Sequence, residues 1–274
     1  MLIDKLFNLK KKVVVITGAS GSIGGEISAS LAEIGCSVVL LYNKNQPEDY
    51  VMKRIKASQS DYAMYMCDVT SEEGLKSSKD SIIKEFGHID GLINCAGGNH
   101  PKATTSPENS FFKISNDSFE WVTKLNLMGT VLPCQTFGEE FSKNKKGNII
   151  NISSMAAIRP LTKIPAYSSS KAAINSFTRW LSVYMATEYS NDIRVNAIAP
   201  GFFIGKQNRF LLIDKDTGNY TERGKSIIEH TPMGKFGEPK QLVSTVIWLL
   251  SDYSDFVTGV LIPVDGGFDA FGGV

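Results

Sequence analysis

Tyr167 and Lys171 lie four residues apart in Pro165-Ala166-Tyr167-Ser168-Ser169-Ser170-Lys171. That spacing puts both side chains on one face of a helix. An ammonium beside a phenol stabilises the phenolate and lowers the phenol's pKa from about 10 toward working pH. Tyr167 could then give a proton during carbonyl reduction or take one during alcohol oxidation. A Tyr and a Lys one turn apart also occur on ordinary helix surfaces, so the pair needs company. Asn148-Ile149-Ile150-Asn151-Ile152-Ser153-Ser154 supplies it: a strand ending in hydroxyls, thirteen residues before Tyr167. Ser154 could donate to the substrate oxygen while Tyr167 moves the proton, and a donor aimed at a developing oxyanion is a large catalytic contribution.

A second cluster has the chemistry of phosphate binding. The apolar run Val13–Ile16 leads into Thr17-Gly18-Ala19-Ser20-Gly21-Ser22-Ile23-Gly24, after which a helical pattern begins. Glycines there let the backbone approach a pyrophosphate, and a helix N-terminus offers free N–H groups and partial positive charge. Gly18, Ser20, Ser22, Ile23 and Gly24 are therefore candidate cofactor residues; the alternative is a glycine-rich turn with no ligand. The second strand ends in Tyr42-Asn43-Lys44 rather than in a carboxylate. An acid at that point would select the free ribose of NAD. Lys44 could instead meet a 2′-phosphate, which favours NADP over NAD on charge alone, although a solvated loop lysine reads the same way.

These groups need a frame that brings them together. Short β-branched runs at Val13–Thr17, Ser37–Tyr42, Tyr62–Cys67, Gly91–Asn94, Asn148–Ser153, Ile193–Ile198 and Val260–Val264 alternate with helical stretches. Those stretches include Gly24–Ile34, Glu72–Phe86, Ser118–Lys143, Ser168–Tyr189 and Pro239–Leu250. The pattern predicts a single α/β domain: a Rossmann-like, doubly wound parallel sheet of about seven strands with helices on both faces. Two excesses, Gly98–Asn116 and the thirty-seven residues of Phe202–Glu238, follow strand ends where open parallel sheets place ligands. The longer one is too long for plain loop and reads as a substrate-binding lid. The formal net charge of +1 gives no general attraction to nucleic acid or to an anionic membrane. Cys36, Cys67, Cys95 and Cys134 form no CxxC pair and no metal-ligand spacing. They read as buried thiols of a reducing compartment. No segment has the length of a membrane span, and the start carries Asp4 and no apolar stretch, so a cytoplasmic protein is expected.

In this order and spacing the pieces resemble the short-chain dehydrogenase/reductase family over nearly the whole sequence. They are the turn Thr17–Gly24, Asp68 after the third strand, Asn94-Cys95-Ala96-Gly97, Asn126 in Leu125-Asn126-Leu127-Met128-Gly129, then Ser154, Tyr167, Lys171, Pro200-Gly201 and Val264-Asp265-Gly266-Gly267. The resemblance implies catalytic roles for Asn126, Ser154, Tyr167 and Lys171, with Asn126 supporting a water that relays protons to Lys171. It implies cofactor contacts from Asp68 and Val69, from Asn94, Ala96 and Gly97, from Pro200 and Gly201, and from Tyr167 and Lys171. It also implies a homotetramer paired through Ser118–Lys143 and Ser168–Tyr189, with the C-terminal residues able to reach a neighbour. Four positions depart from the usual pattern: Ser22 for the middle glycine, Cys95 for Asn, Ile204-Gly205-Lys206 where a Thr commonly follows, and Tyr42 where an acid is common in NAD-using relatives.

Within the family the sequence is most similar to the D-mannonate oxidoreductase (fructuronate reductase) branch. The likeness lies in Gly97–Thr105, Arg159–Pro165, Ala199–Phe203 and Thr231–Pro239. A sugar acid needs a cation for its carboxylate and donors for its hydroxyls. Asn99, His100, Lys102, Arg159, Gln207 and Arg209 are the candidates, with Ser154 at the reacting oxygen. The apolar cluster Phe202, Phe203, Phe210, Leu211 keeps open a different keto acid, polyol or 3-oxoacyl substrate. A nucleotide-binding sensor without catalysis is the reading from another class, and the intact Asn126, Ser154, Tyr167, Lys171 set argues against it.

Overall fold

The computed structural model describes residues 6–205 and 208–273. Seven strands form one sheet: β1 Val13–Thr17, β2 Ser37–Tyr42, β3 Tyr62–Met66, β4 Gly91–Asn94, β5 Gly147–Ile152, β6 Ile193–Pro200 and β7 Leu261–Val264. Their order is β3-β2-β1-β4-β5-β6-β7, and every pairing is parallel. The near-continuous apolar runs are explained by burial: β1, β4, β5 and β6 are buried at every position, while the edge strands β3 and β7 are partly open.

Alternate residues of each strand feed two separate cores, as the two-residue period of a strand requires. Val14, Ile16, Val38, Leu40 and Ile150 face one side. There they meet Ile27 and Leu31 of α1 (Ser22–Glu33), Val51 and Ile55 of α2 (Asp49–Ser58), and Val246 and Leu249 further along the sequence. Val13, Val15, Val39, Leu41 and Ile149 face the other side, against Leu75 and Ile82 of α3 (Glu72–Phe86). Phe137, Phe141, Leu181 and Met185 complete that second core. The doubly wound sandwich expected from the sequence is the one present. Among the described residues no helix is long and apolar enough to cross a membrane.

Three elements differ from expectation. The single helix over Ser118–Lys143 is instead α4 (Asn116–Thr123), a π-helical turn at Lys124–Met128, and α5 (Gly129–Asn144). The wider turn rephases the backbone at Asn126, and such bulges occur mostly at functional sites. Pro133 then sits inside α5 without an N–H to give. Next, α6 begins at Pro165 and runs to Glu188, the proline occupying the first turn, where its missing N–H costs nothing. Lastly, the Phe202–Glu238 insert contains α7 (Arg209–Leu212), α8 (Glu222–Glu229) and a bridge between Ile213 and Tyr220, packed on a small apolar cluster of Leu212, Ile227 and Phe236. The last helix, α9 (Val243–Leu250), follows a tight turn at Pro239–Leu242 with a reciprocal Glu238–Gln241 cap. The four cysteines are unpaired, and burial pushes the Cys36 and Cys134 thiols up to about 12.

Candidate active site

The strand order reverses between β1 and β4, and their C-terminal ends, Thr17 and Asn94, lie side by side. The Thr17 hydroxyl accepts the N–H groups of both Cys95 and Ala96, each at 3.1 Å, and so ties the first turn to the fourth strand's exit. Gly18 follows with φ +63, where an added Cβ would stand 2.7 Å from the Ala96 nitrogen. Neither the backbone angle nor the space there admits another residue.

Tyr167 and Lys171 share one face of α6, as their spacing predicts. Lys171 is 4% exposed, donates its Nζ to the Ile152 carbonyl at the end of β5 (2.7 Å), and lies 5.6 Å from the Tyr167 ring centroid. Ser154 leaves the same strand end, accepts the Ala156 N–H at 3.1 Å, and hydrogen-bonds Tyr167. The three side chains therefore converge. The expected lowering of the phenol is not what the site does in this state. Burial pushes Tyr167 above the ordinary tyrosine value, and the hydrogen bond with Ser154 pulls it back only in part. The physical reason is the phenol's own burial, which disfavours its charged form; burial likewise holds the Lys171 ammonium down at about 8.

Asn126 is fully buried in the π turn, behind the wall of the site rather than in it. Its amide donates to the carbonyls of Gly98 and Val122 (2.7 Å each), and its Oδ1 accepts the Gly98 N–H at 3.1 Å. Its own carbonyl accepts the Thr130 hydroxyl at 2.9 Å. In this structure the Asn126 side chain clamps both backbone groups of Gly98.

A cleft of about 830 Å³ runs from the glycine turn to Tyr167. It is lined at one end by Gly18, Ser20, Ser22, Ile23 and Gly24, in the middle by Asn43, Lys44, Asp68, Val69, Ala96 and Gly97, and at the other end by Ser154, Tyr167, Lys171, Pro200 and Gly201. The residues fit a dinucleotide on an observation independent of any motif. α1 opens from Gly21 with no side-chain cap and no acid in its first turn, so its N–H groups and positive end are left for an anion in the cleft. Two residues expected to contact the cofactor are not in the cleft lining. Asn94, the last residue of β4, is buried and turns into the core, donating to Asn151 Oδ1 (2.9 Å) and Cys134 Sγ (3.2 Å). Tyr42, the last residue of β2, is absent from the cleft wall, to which its neighbours Leu41 and Asn43 contribute.

Of the described substrate candidates, only Ser154 lines the cleft. Asn99 donates to the Thr104 hydroxyl (2.8 Å), and His100 Nδ1 accepts the Lys102 N–H (3.1 Å), so both fold their own loop while Lys102 stays exposed. Arg159 pairs with Asp269, its Nε 2.9 Å from Oδ1 and its Nη2 donating to the Asp269 carbonyl. The C-terminal segment, expected to be able to reach a neighbour, here also grips its own subunit beside the site. Arg209 is exposed on α7, and Gln207 lies outside the described residues. In their place the cleft has Trp121, Leu125, Phe202, Phe203 and Asn208. The pair Trp121–Leu125 carried the same four-residue signal as Tyr167–Lys171, and Phe202-Phe203 directly follow the Pro200-Gly201 turn.

The Arg159–Asp269 pair gives a direct test. Arg159→Ala and Asp269→Ala are expected to raise KM alike, by about five-fold at most, since a partly exposed pair contributes about 1 kcal/mol or less. The double variant should add little to either. Steady-state kinetics on all three checks this; a rise with Arg159→Ala alone would mean that the guanidinium meets substrate directly.

Comparison with known proteins agrees with this geometry. Residues 18–269 match a family model described as enoyl-(acyl carrier protein) reductase. The chain is 44% identical to the uncharacterized oxidoreductase UxuB of Bacillus subtilis, covering 97% of this chain and 98% of the relative. It is 32% identical to the 2-dehydro-3-deoxy-D-gluconate 5-dehydrogenase of Dickeya dadantii, over 97% and 99%. Among solved structures, a candidate D-mannonate oxidoreductase from Haemophilus influenza with bound NAD superposes with a TM-score of 0.90 at 43% identity, over 97% of this chain and 98% of that one.

Proposed function

The chain belongs to the short-chain dehydrogenase/reductase family as an NAD(P)-dependent oxidoreductase acting on CH–OH groups, and from that premise we propose that it interconverts a sugar acid and its keto form, D-mannonate and D-fructuronate first. The observation that carries the chemistry is the meeting of Ser154 and Tyr167, hydrogen-bonded to each other over a buried Lys171, at one end of a cleft whose other end is the uncapped start of α1. The nicotinamide, when bound, takes or gives the hydride. Ser154 holds the reacting oxygen, Tyr167 takes the hydroxyl proton in oxidation and returns it in reduction, and Lys171 backs the phenol. Asn126 fixes the Gly97–Gly98 wall beside them. The acid end of the substrate class is supported by the sugar-acid names carried by two similar proteins.

A cofactor-absorbance assay over sugar acids, neutral polyols and 3-oxoacyl thioesters, with both cofactors, tests the reading. D-mannonate is expected to exceed neutral polyols in kcat/KM by at least about ten-fold, the worth of one charge-assisted contact. The best rate on a neutral polyol or a 3-oxoacyl substrate would overturn it; the aromatic rim of Phe202 and Phe203 is the observation that favours the latter. Lys44 in the cleft, and a second strand that ends in Tyr42-Asn43-Lys44 without a carboxylate, support use of NADPH at least as well as NADH; a strict requirement for NADH would overturn that part. In the same assay, Arg209→Ala should raise KM for the acid more than for a neutral polyol. Arg209 sits on the 202–238 segment, whose closure over the substrate would bring a cation to the carboxylate.

We also propose a homotetramer. The outer face of α6 exposes Trp180, Val183 and Tyr184, with Trp180 and Tyr184 stacked at 5.0 Å, an apolar ladder suited to a two-fold partner. Light scattering should read four subunits, and a monomer at all concentrations would refute the assembly.

A further inference from the structure

Trp121 stands where a helix would ordinarily turn a large ring away from water. α4 is capped by the Ser115 hydroxyl, which accepts the Ser118 N–H at 3.3 Å. The helix buries Ser118 and Val122. Val122 packs with Ala103 and Ala166, and Phe119 and Tyr167 close the same cluster. The helix that carries Trp121 is thus fixed against the base of the proton-transferring tyrosine. One residue before Val122, the indole turns into the cleft and remains 49% exposed, with Leu125 one turn further along the same wall.

That exposure is held in place from one side. The His100 ring meets the indole edge-on, with centroids 5.2 Å apart at 62°. His100 is in turn fixed by the Lys102 N–H on its Nδ1 and by the Thr104 hydroxyl on its carbonyl, both at 3.1 Å. Ordering an exposed aromatic ring costs little conformational entropy, and its face then offers a large apolar surface beside the catalytic groups. A polyhydroxy acid presents that surface with its complement: C–H groups on one face of the carbon backbone, hydroxyls and carboxylate at the edges. The hydroxyls remain free for donors such as Ser154.

We infer that Trp121 is a specificity-determining residue on which the C–H face of the sugar acid packs, and that His100 is a positioning residue that acts through it. The inference rests on the sugar-acid reading above. It assigns to His100 an indirect role in place of a direct substrate contact, and to Trp121 a role inside the site.

The test uses the intact enzyme with its cofactor and D-mannonate, or whichever sugar acid the wild type turns over best. Trp121→Ala should raise KM for the acid about 30-fold, or roughly 2 kcal/mol, with the cofactor Kd within two-fold and kcat changed far less than KM. Trp121→Phe, which keeps a ring and guards against misfolding, should raise KM only about three-fold. His100→Phe keeps a ring edge against the indole and should stay close to wild type, whereas His100→Asn keeps the loop's acceptor without a ring and should raise KM. In a background of Trp180→Phe and Trp248→Phe, saturating acid should change the emission of the remaining Trp121, a readout that a purely structural indole would not give. If the wild type turns over sugar acids while Trp121→Ala keeps KM within two-fold, or the emission stays constant, the Trp121 assignment falls alone. If the wild type turns over no sugar acid, the substrate reading falls and takes this inference with it.

Discussion

Tyr167→Phe is expected to lower kcat by about a thousand-fold, within the range that positioned acid–base groups contribute, while cofactor affinity stays within two-fold. The substitution removes only the hydroxyl. The ring keeps its place among Ala103, Val122, Ala166 and Phe119, and Lys171 keeps its bond to the Ile152 carbonyl, so loss of activity cannot be charged to loss of fold. The pH dependence adds a signature. Oxidation needs the phenolate, and burial holds the phenol above the ordinary tyrosine value. Wild-type oxidation must therefore climb with pH up to that raised value, and reduction, which needs the phenol's proton, must fall as pH passes it. The residual activity of Tyr167→Phe should lack that tyrosine-controlled step. Full activity in the variant, or an unchanged pH profile, would remove Tyr167 from the proton path.

What the sequence conveyed divides along physical lines. The sheet was legible because β1, β4, β5 and β6 are buried on both faces and so carry unbroken apolar runs. The Tyr167–Lys171 pair was legible because it lies within one regular helix, where spacing alone fixes the shared face. The π turn was not: Lys124-Leu125-Asn126-Leu127-Met128 has ordinary helical composition. What accompanies the wider turn is tertiary, the clamp of the Asn126 amide on Gly98 and a Gly129 whose added Cβ would lie 2.9 Å from Val69 Cγ2. The partners of the candidate substrate cations were not legible for a related reason. A loop cation pairs with whatever the fold brings near, and Arg159 meets Asp269 from 110 residues away. Charge type could be read at each position, but not its partner. The phenol's direction of shift depended on the same thing, because spacing brings an ammonium close without saying how deeply both groups are buried.

Gly97→Ala is expected to lower kcat by roughly ten- to a hundred-fold and to destabilise the protein by about 1–3 kcal/mol, the usual cost of overpacking a tight interior. Backbone angle is not the cause, since Gly97 is not among the positive-φ glycines. The cause is what stands beyond the missing Cβ: Asn126 Oδ1 at 2.7 Å and Lys171 Nζ at 3.3 Å. The first contact is too short for any Cβ, so Asn126 or the Gly97 backbone must shift, and the second requires Lys171 to give by a few tenths of an ångström. Asn126 has nowhere cheap to go, because rotating its amide strips the Gly98 N–H and carbonyl and the Val122 carbonyl of their partner, and each buried polar group left unpaired costs about 1–3 kcal/mol. The give required of Lys171 strains its bond to the Ile152 carbonyl and shifts the ammonium behind Tyr167. Either response disturbs the reacting end of the cleft. The added methyl points toward these two groups, so kcat should suffer more than cofactor Kd. Asn126→Ala should be damaging alone, yet combined with Gly97→Ala it should cost less than the sum by about 1 kcal/mol or more, because the clash is then gone. Thermal unfolding and single-turnover rates on the two single variants and the double close the cycle; strict additivity, or a Gly97→Ala enzyme with kcat within two-fold of wild type, would mean that the glycine is not what keeps Asn126 and Lys171 in register with Tyr167.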